Sequence, residues 1–318
     1  PRWLPGALVS ILLIAVLLYF VDLGAMVDAI RKADYGLLAV AFVLSILWMF
    51  GRAKVWHTLL RGRASYMDVL FTAGEGYLLN AFLPFRLGEL GRAFLISRKS
   101  KLQFGEVLPT IVIERVVDLG ISALLFIAAL PLIVGSGGTE NAGYIVGAVV
   151  VVGLLALYFL AHYNQWVLDL FHKISARWPS LQKFGGGFLE SFFEGLGVLK
   201  NGWLFVRFLF WMALNWGLAL VAYYLMMLAF FPQAQFNWTF LLLSAAAFGG
   251  ALPAAPGGLG TTDGAITWAL TLLTGDGSTA LAIALTIRLY NYVNSGLIGG
   301  IGLAREGETL GGVYRDLR

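Results

Sequence analysis

Two stretches of apolar sequence carry the same unusual pattern, LPFRLGELG at residues 83–91 and LPAAPGGLG at residues 252–260. They lie 169 residues apart and share L-P-x-x-x-G-x-L-G. Proline and glycine interrupt helices, and an interrupted backbone is tolerated at membrane depth only where protein or a water-filled cavity surrounds it. A pair of such breaks at matching positions in two halves of a chain is the sequence feature that best indicates a transporter's binding site. The two stretches therefore favour movement of a substrate across a bilayer.

The composition is that of an integral membrane protein. Of 318 residues, 59% are hydrophobic and only 13% are charged, which is about half the charged share of a soluble domain. The chain has no cysteine and only three histidines, which argues against thiol chemistry, disulfides and transition-metal sites. It also lacks the G-x-x-x-x-G-K-[ST] motif and any basic stripe, so we expect neither ATP hydrolysis nor nucleic-acid binding.

Six apolar runs are long enough to cross a bilayer, which takes roughly 20 residues. They fall near residues 4–21, 36–60, 106–134, 144–162, 203–231 and 278–303. Two broken segments, about 66–98 and 239–273, remain between them. Each could form two short spans or one re-entrant helical hairpin.

Loop charge separates these alternatives, because Lys and Arg mark the cytoplasmic side of a membrane protein. Basic loops flank segment 66–98 on both sides, whereas the loops flanking 239–273 contain no Lys or Arg. Both segments are therefore predicted to be re-entrant hairpins that enter the membrane from opposite faces. The same rule places both chain termini in the cytoplasm.

A shift of 169 residues also relates the spans of the two halves. It carries 36–60 onto 205–229 and 106–134 onto 275–303, close to spans identified independently. Three crossings lie between the hairpins, so the second half is upside down relative to the first. Chance matches of Leu, Pro and Gly are the alternative, since the chain has 39 glycines.

The predicted fold is an all-α polytopic membrane protein with about six transmembrane helices and two re-entrant hairpins in an inverted repeat. The parts are a first repeat at 1–134, a second repeat at 144–303 with a cytoplasmic amphipathic insertion at 163–202, and a cytoplasmic tail at 304–318. The segment 22–34 is read as a loop of mixed charge.

Ionisable residues inside membrane segments are costly, so each is a functional candidate. Arg86, Glu89 and Arg92 are spaced to lie along one side of a short helix. Glu114 and Asp118, four residues apart, share a helix face. Arg52 and Lys54 lie near the cytoplasmic end of their span and are interpreted as anchors that reach the interface.

The breaks add backbone charge to these side chains. The second arm of each hairpin begins just after its break, so two helix N-termini with partial positive charge point at the membrane middle. Together with arginines they favour an anion, above all a phosphate, while the carboxylates balance charge or exchange protons. The alternative is that buried Arg–Glu pairs only hold helices together. The candidate residues are Asn80, Arg86, Glu89, Arg92, Glu114, Arg115, Asp118, Gly257, Gly258, Gly260, Asp263 and Arg288.

Three motifs together resemble a known family. They are N-x-x-L-P-x-R-x-G-E-x-x-R at residues 80–92, E-R-x-x-D at 114–118 and P-G-G-x-G at 256–260. The chain resembles, over nearly its whole length, the lysylphosphatidylglycerol synthase transmembrane-region family, also called flippase-like domain proteins. That family includes the membrane domain of the multiple peptide resistance factors. Its members usually have Glu after P-G-G-x-G where this chain has Asp263, which keeps the charge on a shorter stem.

The resemblance implies translocation of a lipid between leaflets. We expect a translocase, or flippase, for an anionic, phosphate-bearing lipid: a phospholipid, an aminoacyl-phospholipid or a polyprenyl-phosphate-linked lipid. The 318 residues show no counterpart of the synthase domain, so we expect no enzyme activity, catalytic residue, metal or cofactor. The expected location is a prokaryotic cytoplasmic (inner) membrane, and the expected partners are membrane lipids with anionic headgroups.

Other functions stay open from the sequence. They are a secondary transporter of a small soluble anion, a membrane subunit that supports a lipid-modifying enzyme, and a structural scaffold. A homo-oligomer and a partner lipid-synthesis enzyme are also left open.

Overall fold

The computed structural model describes residues 22–83, 87–134, 201–252 and 256–307, together with Tyr163, Trp166, Lys173 and Phe193. Within these residues the protein is helical and has no β-strand. The helices are α1 (Leu23–Lys32), α2 (Tyr35–Leu59), α3 (Tyr66–Phe82), α4 (Gly88–Lys99), α5 (Phe104–Val134), α6 (Gly202–Phe230), α7 (Trp238–Ala251), α8 (Thr261–Thr274) and α9 (Gly277–Glu306), with a 3₁₀ turn at Pro256–Gly258.

Four long helices occupy positions predicted for membrane spans. The helices α2, α5, α6 and α9 correspond to the predicted spans at 36–60, 106–134, 203–231 and 278–303. Of the described helices, α2, α5 and α6 are both long and apolar enough to cross a membrane. Helix α9 has 30 residues but carries polar side chains in its middle, among them Arg288. The predicted spans at 4–21 and 144–162, most of the insertion at 163–202 and the tail after residue 307 lie outside the described residues.

The segment 22–34 is not the loop that its mixed charge suggested. Asp22 accepts hydrogen bonds from two backbone N–H groups in the first turn of α1, and Asp34 does the same for α2. Arg31 and Lys32 lie in the last turn of α1, where positive charge is favourable at a helix C-terminus. Capped ends therefore turn this short polar segment into a helix.

Helices α3 and α4 pack side by side across the first break. Gly76 and Gly88 face each other so closely that a Cβ atom on Gly88 would overlap the carbonyl oxygen of Gly76. The backbone N–H of Gly88 donates to Oδ1 of Asn80 at 2.8 Å. Glycine at position 88 thus lets the start of α4 lie directly against α3.

Helices α7 and α8 pack in the same way across the second break. Gly257, Gly258 and Gly260 have φ angles of 69°, 61° and 84°, values that glycine adopts readily and other residues only with strain. Oδ2 of Asp263 accepts a hydrogen bond from the backbone N–H of Gly260 at 3.0 Å. The P-G-G-x-G motif therefore forms the tight turn that leads into α8.

The long helices pack in an exchanged pattern, in which helices of one half contact helices of the other half. Helix α2 lies along α6, α3 lies along α9 and α7 lies along α5, so the first arm of each broken segment contacts the last long helix of the other half. The two breaks also meet, because a Cβ atom on Gly257 would lie 3.4 Å from the carbonyl oxygen of Ala81 at the end of α3. The packing brings both sequence motifs to one region of the protein.

Apolar side chains both fill the interior and cover the outside. Trp56, Phe208 and Met212 are among the fully buried residues where α2 meets α6. Many large apolar residues face outward, including Trp203 and Phe210 on α6. Extended exposed apolar surface of this kind marks contact with a membrane or a partner.

Candidate functional site

Three arginines converge on one carboxylate in the protein interior. Glu114 on α5 is completely buried. Its Oε1 accepts hydrogen bonds from Nη2 of Arg52 on α2 at 2.8 Å, Nη2 of Arg92 on α4 at 2.8 Å and Nη2 of Arg115 on α5 at 2.6 Å. Buried charges are tolerated when they are paired and hydrogen-bonded, so this carboxylate links three helices through their charged side chains.

Asp118 lies one turn after Glu114 and extends the network. Arg52 binds both of its oxygens, with Nη1 2.9 Å from Oδ1 and Nη2 against Oδ2. This is the bidentate geometry that makes arginine–carboxylate pairs strong. Nε1 of Trp216 on α6 also donates to Oδ1 of Asp118, at 3.1 Å. Glu114 and Asp118 therefore contact the same guanidinium group, which confirms that their four-residue spacing places them on one face.

Glu89 completes this group from the first turn of α4. Its Oε2 lies 2.9 Å from Nη2 of Arg92, and its Oε1 lies 3.7 Å from Nη1 of Arg115. The first pair confirms the one-sided spacing predicted for α4. We call the group the arginine network; it consists of Arg52, Arg92, Arg115, Glu89, Glu114 and Asp118. Its three positive and three negative charges balance.

Arg52 is not the interfacial anchor that its position suggested. Its side chain is only 3% exposed and points at the α5 carboxylates. The sequence places Arg52 within a span but does not show which neighbouring helix it faces. The only sequence signal for this contact was the pair of carboxylates, Glu114 and Asp118, on one face of α5, because such a pair requires a cation nearby. Lys54, two residues later, instead lies over the Tyr66 ring, with its Nζ 4.3 Å from the ring centroid.

Arg92 keeps two hydrogen-bond donors without partners. The residue is 2% exposed, and its Nε and Nη1 make no hydrogen bond with any residue that the structure describes. Its guanidinium lies 4.7 Å from the centroid of the Trp56 ring. The side chain lines a narrow recess together with Ala73, Gly76, Tyr77, Asn80 and Glu89. Buried donors are nearly always hydrogen-bonded, and Nε of Arg52 and Nε of Arg115 in the same network are also without a partner among the described residues.

Arg288 on α9 forms a second ionic centre at the other break. Its Nε and Nη2 donate to the two carboxylate oxygens of Asp263 at 2.7 and 2.6 Å. Nη1 donates to the carbonyl oxygen of Gly257 at 2.9 Å and to Oη of Tyr292 at 3.0 Å, and Nη2 donates to the carbonyl oxygen of Gly258 at 3.1 Å. Arg288 therefore fixes the glycine turn to α9. All three of its guanidinium nitrogens donate hydrogen bonds, whereas in the described part of the chain only Nη2 of Arg92 does.

The structure gathers the predicted residues into two adjoining groups. Asn80, Glu89, Arg92, Glu114, Arg115 and Asp118 lie around the first break and α5, whereas Gly257, Gly258, Gly260, Asp263 and Arg288 lie around the second break. Arg86 lies outside the described residues. Sequence reasoning missed Arg52 and Trp216; nothing in the sequence around Trp216 indicates that its indole reaches Asp118.

Taken together, the chain is an all-helical membrane protein with broken helices and a buried ionic network in its interior. It belongs to the family described as the lysylphosphatidylglycerol synthase TM region, whose model matches residues 3–299. This confirms the resemblance seen in the three sequence motifs. The family makes the chain an integral membrane protein of a group related to lipid modification or flipping.

Two curated proteins are similar over most of their length. A UPF0104 membrane protein of Methanothermobacter thermautotrophicus is 24% identical over 312 residues, which cover 92% of this chain and 90% of the relative. A UPF0104 membrane protein of Methanocaldococcus jannaschii is 20% identical over 310 residues, which cover 93% of this chain and 92% of the relative. No solved structure matches the chain.

Proposed function

We propose that this protein moves an anionic, phosphate-bearing lipid between the two leaflets of a membrane without hydrolysing ATP. The observation that carries the proposal is Arg92, a buried guanidinium beside a helix break whose Nε and Nη1 have no hydrogen-bond partner among the described residues. A guanidinium group matches the oxygens of a phosphate in both charge and geometry. The family's relation to lipid modification or flipping supports a lipid as the bearer of that phosphate.

In this proposal the lipid phosphate displaces the carboxylate of Glu89 from its arginine partners. Glu89 lies at the start of α4, next to the break, and its oxygens lie 2.9 Å from Nη2 of Arg92 and 3.7 Å from Nη1 of Arg115. Glu114 and Asp118 are held by several short hydrogen bonds each. A phosphate that takes the place of Glu89 beside Arg92 and Arg115 keeps the arginines paired while the lipid is bound.

Exposed apolar side chains beside both breaks favour a lipid over a small soluble anion. Phe82 is 62% exposed at the end of α3, and Leu252 is 57% exposed at the end of α7. Leu90 and Leu259, just after the two breaks, are also exposed. A vestibule for a soluble anion needs polar walls, whereas an opening toward the bilayer is lined by residues of this kind.

We also infer that the two halves form an inverted repeat with two re-entrant hairpins. The arms of the broken segments have 17, 12, 14 and 14 residues, and each is shorter than the roughly 20 residues of a full crossing. A shift of 169 residues carries α2 onto 204–228, close to α6. The exchanged packing of α3 on α9 and of α7 on α5 supports two halves related by a pseudo-two-fold axis.

Headgroup selectivity tests the proposed function. The purified protein is reconstituted into liposomes with labelled phosphatidylglycerol, labelled polyprenyl phosphate or a labelled diacylglycerol that lacks phosphate, and leaflet exchange is measured. Entry of labelled inorganic phosphate is measured in parallel. We expect exchange of at least one phosphate-bearing lipid, none of the diacylglycerol and no entry of phosphate. Entry of inorganic phosphate without lipid exchange would establish a soluble-anion transporter instead.

A further inference from the structure

A second buried ionic group lies where α3, α4 and α9 meet, apart from the arginine network. Glu75 on α3 is 0% exposed. Nζ of Lys99, at the end of α4, donates to Oε2 of Glu75 and to Oγ1 of Thr72, both at 2.7 Å. Lys99 also pairs with Glu306 at the end of α9. Two carboxylates therefore share one ammonium group, which leaves one negative charge when both are ionised.

One oxygen of Glu75 has no donor within the described part of the chain. Its Oε1 is buried and makes no hydrogen bond there. It lies against Gly302 on α9, where an added Cβ atom would overlap it. An ionised carboxylate with an unpaired oxygen in such a place is costly. A proton on one of the two carboxyl groups removes the excess charge, because one carboxylate and one ammonium then remain.

Two cations on the adjoining helices lie beside aromatic rings. The guanidinium of Arg305 lies 4.7 Å from the centroid of the Phe71 ring, and that of Arg98 lies 5.7 Å from the Phe94 ring. Helix α2 also packs on α3, and its Lys54 lies over Tyr66. Asp68, two turns before Glu75, accepts a hydrogen bond from Ser65 at 2.7 Å.

We propose that Glu75, Lys99 and Glu306 form a proton-binding site in which two carboxyl groups share one proton, and that its occupancy controls how α3 packs on α9. The ligand is a proton rather than a metal ion, because the Lys99 ammonium already lies between the two carboxylates. Glu306 is 27% exposed at its side chain, which gives the buried Glu75 a path to solvent.

The position of the site links it to the arginine network. Lys99 and Arg92 lie on the same helix, seven residues apart, which is about 10 Å along a helix axis. Around Glu75, α3 and α9 approach so closely that a Cβ atom on Gly299 would lie 2.6 Å from the carbonyl oxygen of Gly74. Loss of the proton places an uncompensated charge in this contact, which weakens it and releases α4 to move with Arg92. That coupling to lipid movement rests on the proposed function.

Infrared difference spectra of the purified protein, recorded between acid and alkaline buffers, test the site without any lipid substrate. We expect an absorption of a buried protonated carboxyl group that Glu75→Gln removes. Glu306→Gln leaves one carboxylate for one lysine. The absorption of the protonated carboxyl group should then be lost over the pH range in which the wild type shows it. Lys99→Met leaves two carboxylates without a cation, so the absorption should persist into more alkaline buffer. Asp28→Asn, which changes an exposed carboxylate on α1, should leave it unchanged.

An absorption that does not respond to Glu306→Gln and Lys99→Met would overturn the shared proton, and those two variants keep the test decisive if Glu75→Gln does not fold. Leaflet exchange under an imposed pH gradient tests the coupling. We expect the gradient to change the exchange rate of the wild type and not that of Glu75→Gln. A wild-type exchange rate that is the same with and without the pH gradient would overturn the coupling. Complete absence of exchange would count against the proposed function while the infrared result still decides the proton site.

Discussion

Glu114 shows how a single residue sets the electrostatics of the interior. Three guanidinium groups donate to its Oε1, so its single negative charge is shared by three cations. Its second oxygen has no hydrogen-bond partner among the described residues. Removal of one member of a buried ionic group leaves its partners uncompensated, and this is far more costly than loss of a surface pair.

The change Glu114→Gln should therefore destabilise the protein by about 3–5 kcal/mol, because three arginines would face only Glu89 and Asp118. Thermal unfolding of the detergent-solubilised protein measures the effect. Asp28→Asn, which removes an exposed pair with Arg31 on α1, should have little effect. Equal changes in the two variants would contradict the central place of Glu114.

Variants that upset or restore the charge balance of the arginine network test whether Arg92 and Glu89 are coupled. The single change Arg92→Gln leaves an excess of carboxylates, whereas Arg92→Gln combined with Glu89→Gln keeps the network neutral. We expect the double variant to recover much of the thermal stability that the single variant loses, since buried charge must be compensated. A loss of stability in the double variant equal to the summed losses of Arg92→Gln and Glu89→Gln alone would show that the two residues are not coupled.

At the scale of helices, close contacts between glycines decide how α3 lies on α9. A Cβ atom on Gly299 would come within 2.6 Å of the Gly74 carbonyl oxygen, whereas one on Gly300 would meet no atom within 4 Å. The two positions are neighbours in the same helix, so they have the same backbone preference but different surroundings. They form a matched pair for testing this packing.

Gly299→Ala should destabilise the protein by about 1–3 kcal/mol because it forces α3 and α9 apart. Gly300→Ala should stabilise it by up to about 1 kcal/mol through higher helix propensity. Thermal unfolding of both variants measures the difference. A loss of stability in Gly300→Ala as large as that in Gly299→Ala would refute the close contact.

The sequence predicted the elements better than their contacts. The breaks at 83–91 and 252–260 and four of the long helices were predicted because proline, glycine and long apolar runs are local signals. Segment 22–34 was misread because its charges concealed the capping by Asp22. The partner of Arg52 was also missed, since the direction of a side chain relative to another helix depends on packing, which no local pattern records.

At the scale of the whole molecule, the proposed inverted repeat predicts which side of the membrane each segment end faces. Both ends of the α3–α4 segment should face one side, and both ends of the α7–α8 segment should face the other. The 318 residues contain no cysteine, so single introduced cysteines report their location directly. Suitable positions are Met67 and Lys101 for the first segment, and Gln235 and Gly277 for the second.

A membrane-impermeant thiol reagent should label Met67→Cys and Lys101→Cys from the cytoplasmic side. It should label Gln235→Cys and Gly277→Cys from the opposite side. This follows from the positive-inside rule applied to the flanking loops. Labelling of the two ends of one segment from different sides would show that its arms form a complete crossing.

The most direct test of lipid translocation through the arginine network is leaflet exchange by three proteins in identical liposomes. They are the wild type, the charge-balanced Arg92→Gln, Glu89→Gln variant, and Arg31→Gln as an exposed control on α1. We expect the wild type and Arg31→Gln to exchange a phosphate-bearing lipid at equal rates, and the folded double variant not to exchange it. Exchange by the double variant at the wild-type rate would contradict this expectation, because the network would then serve only to hold the helices together.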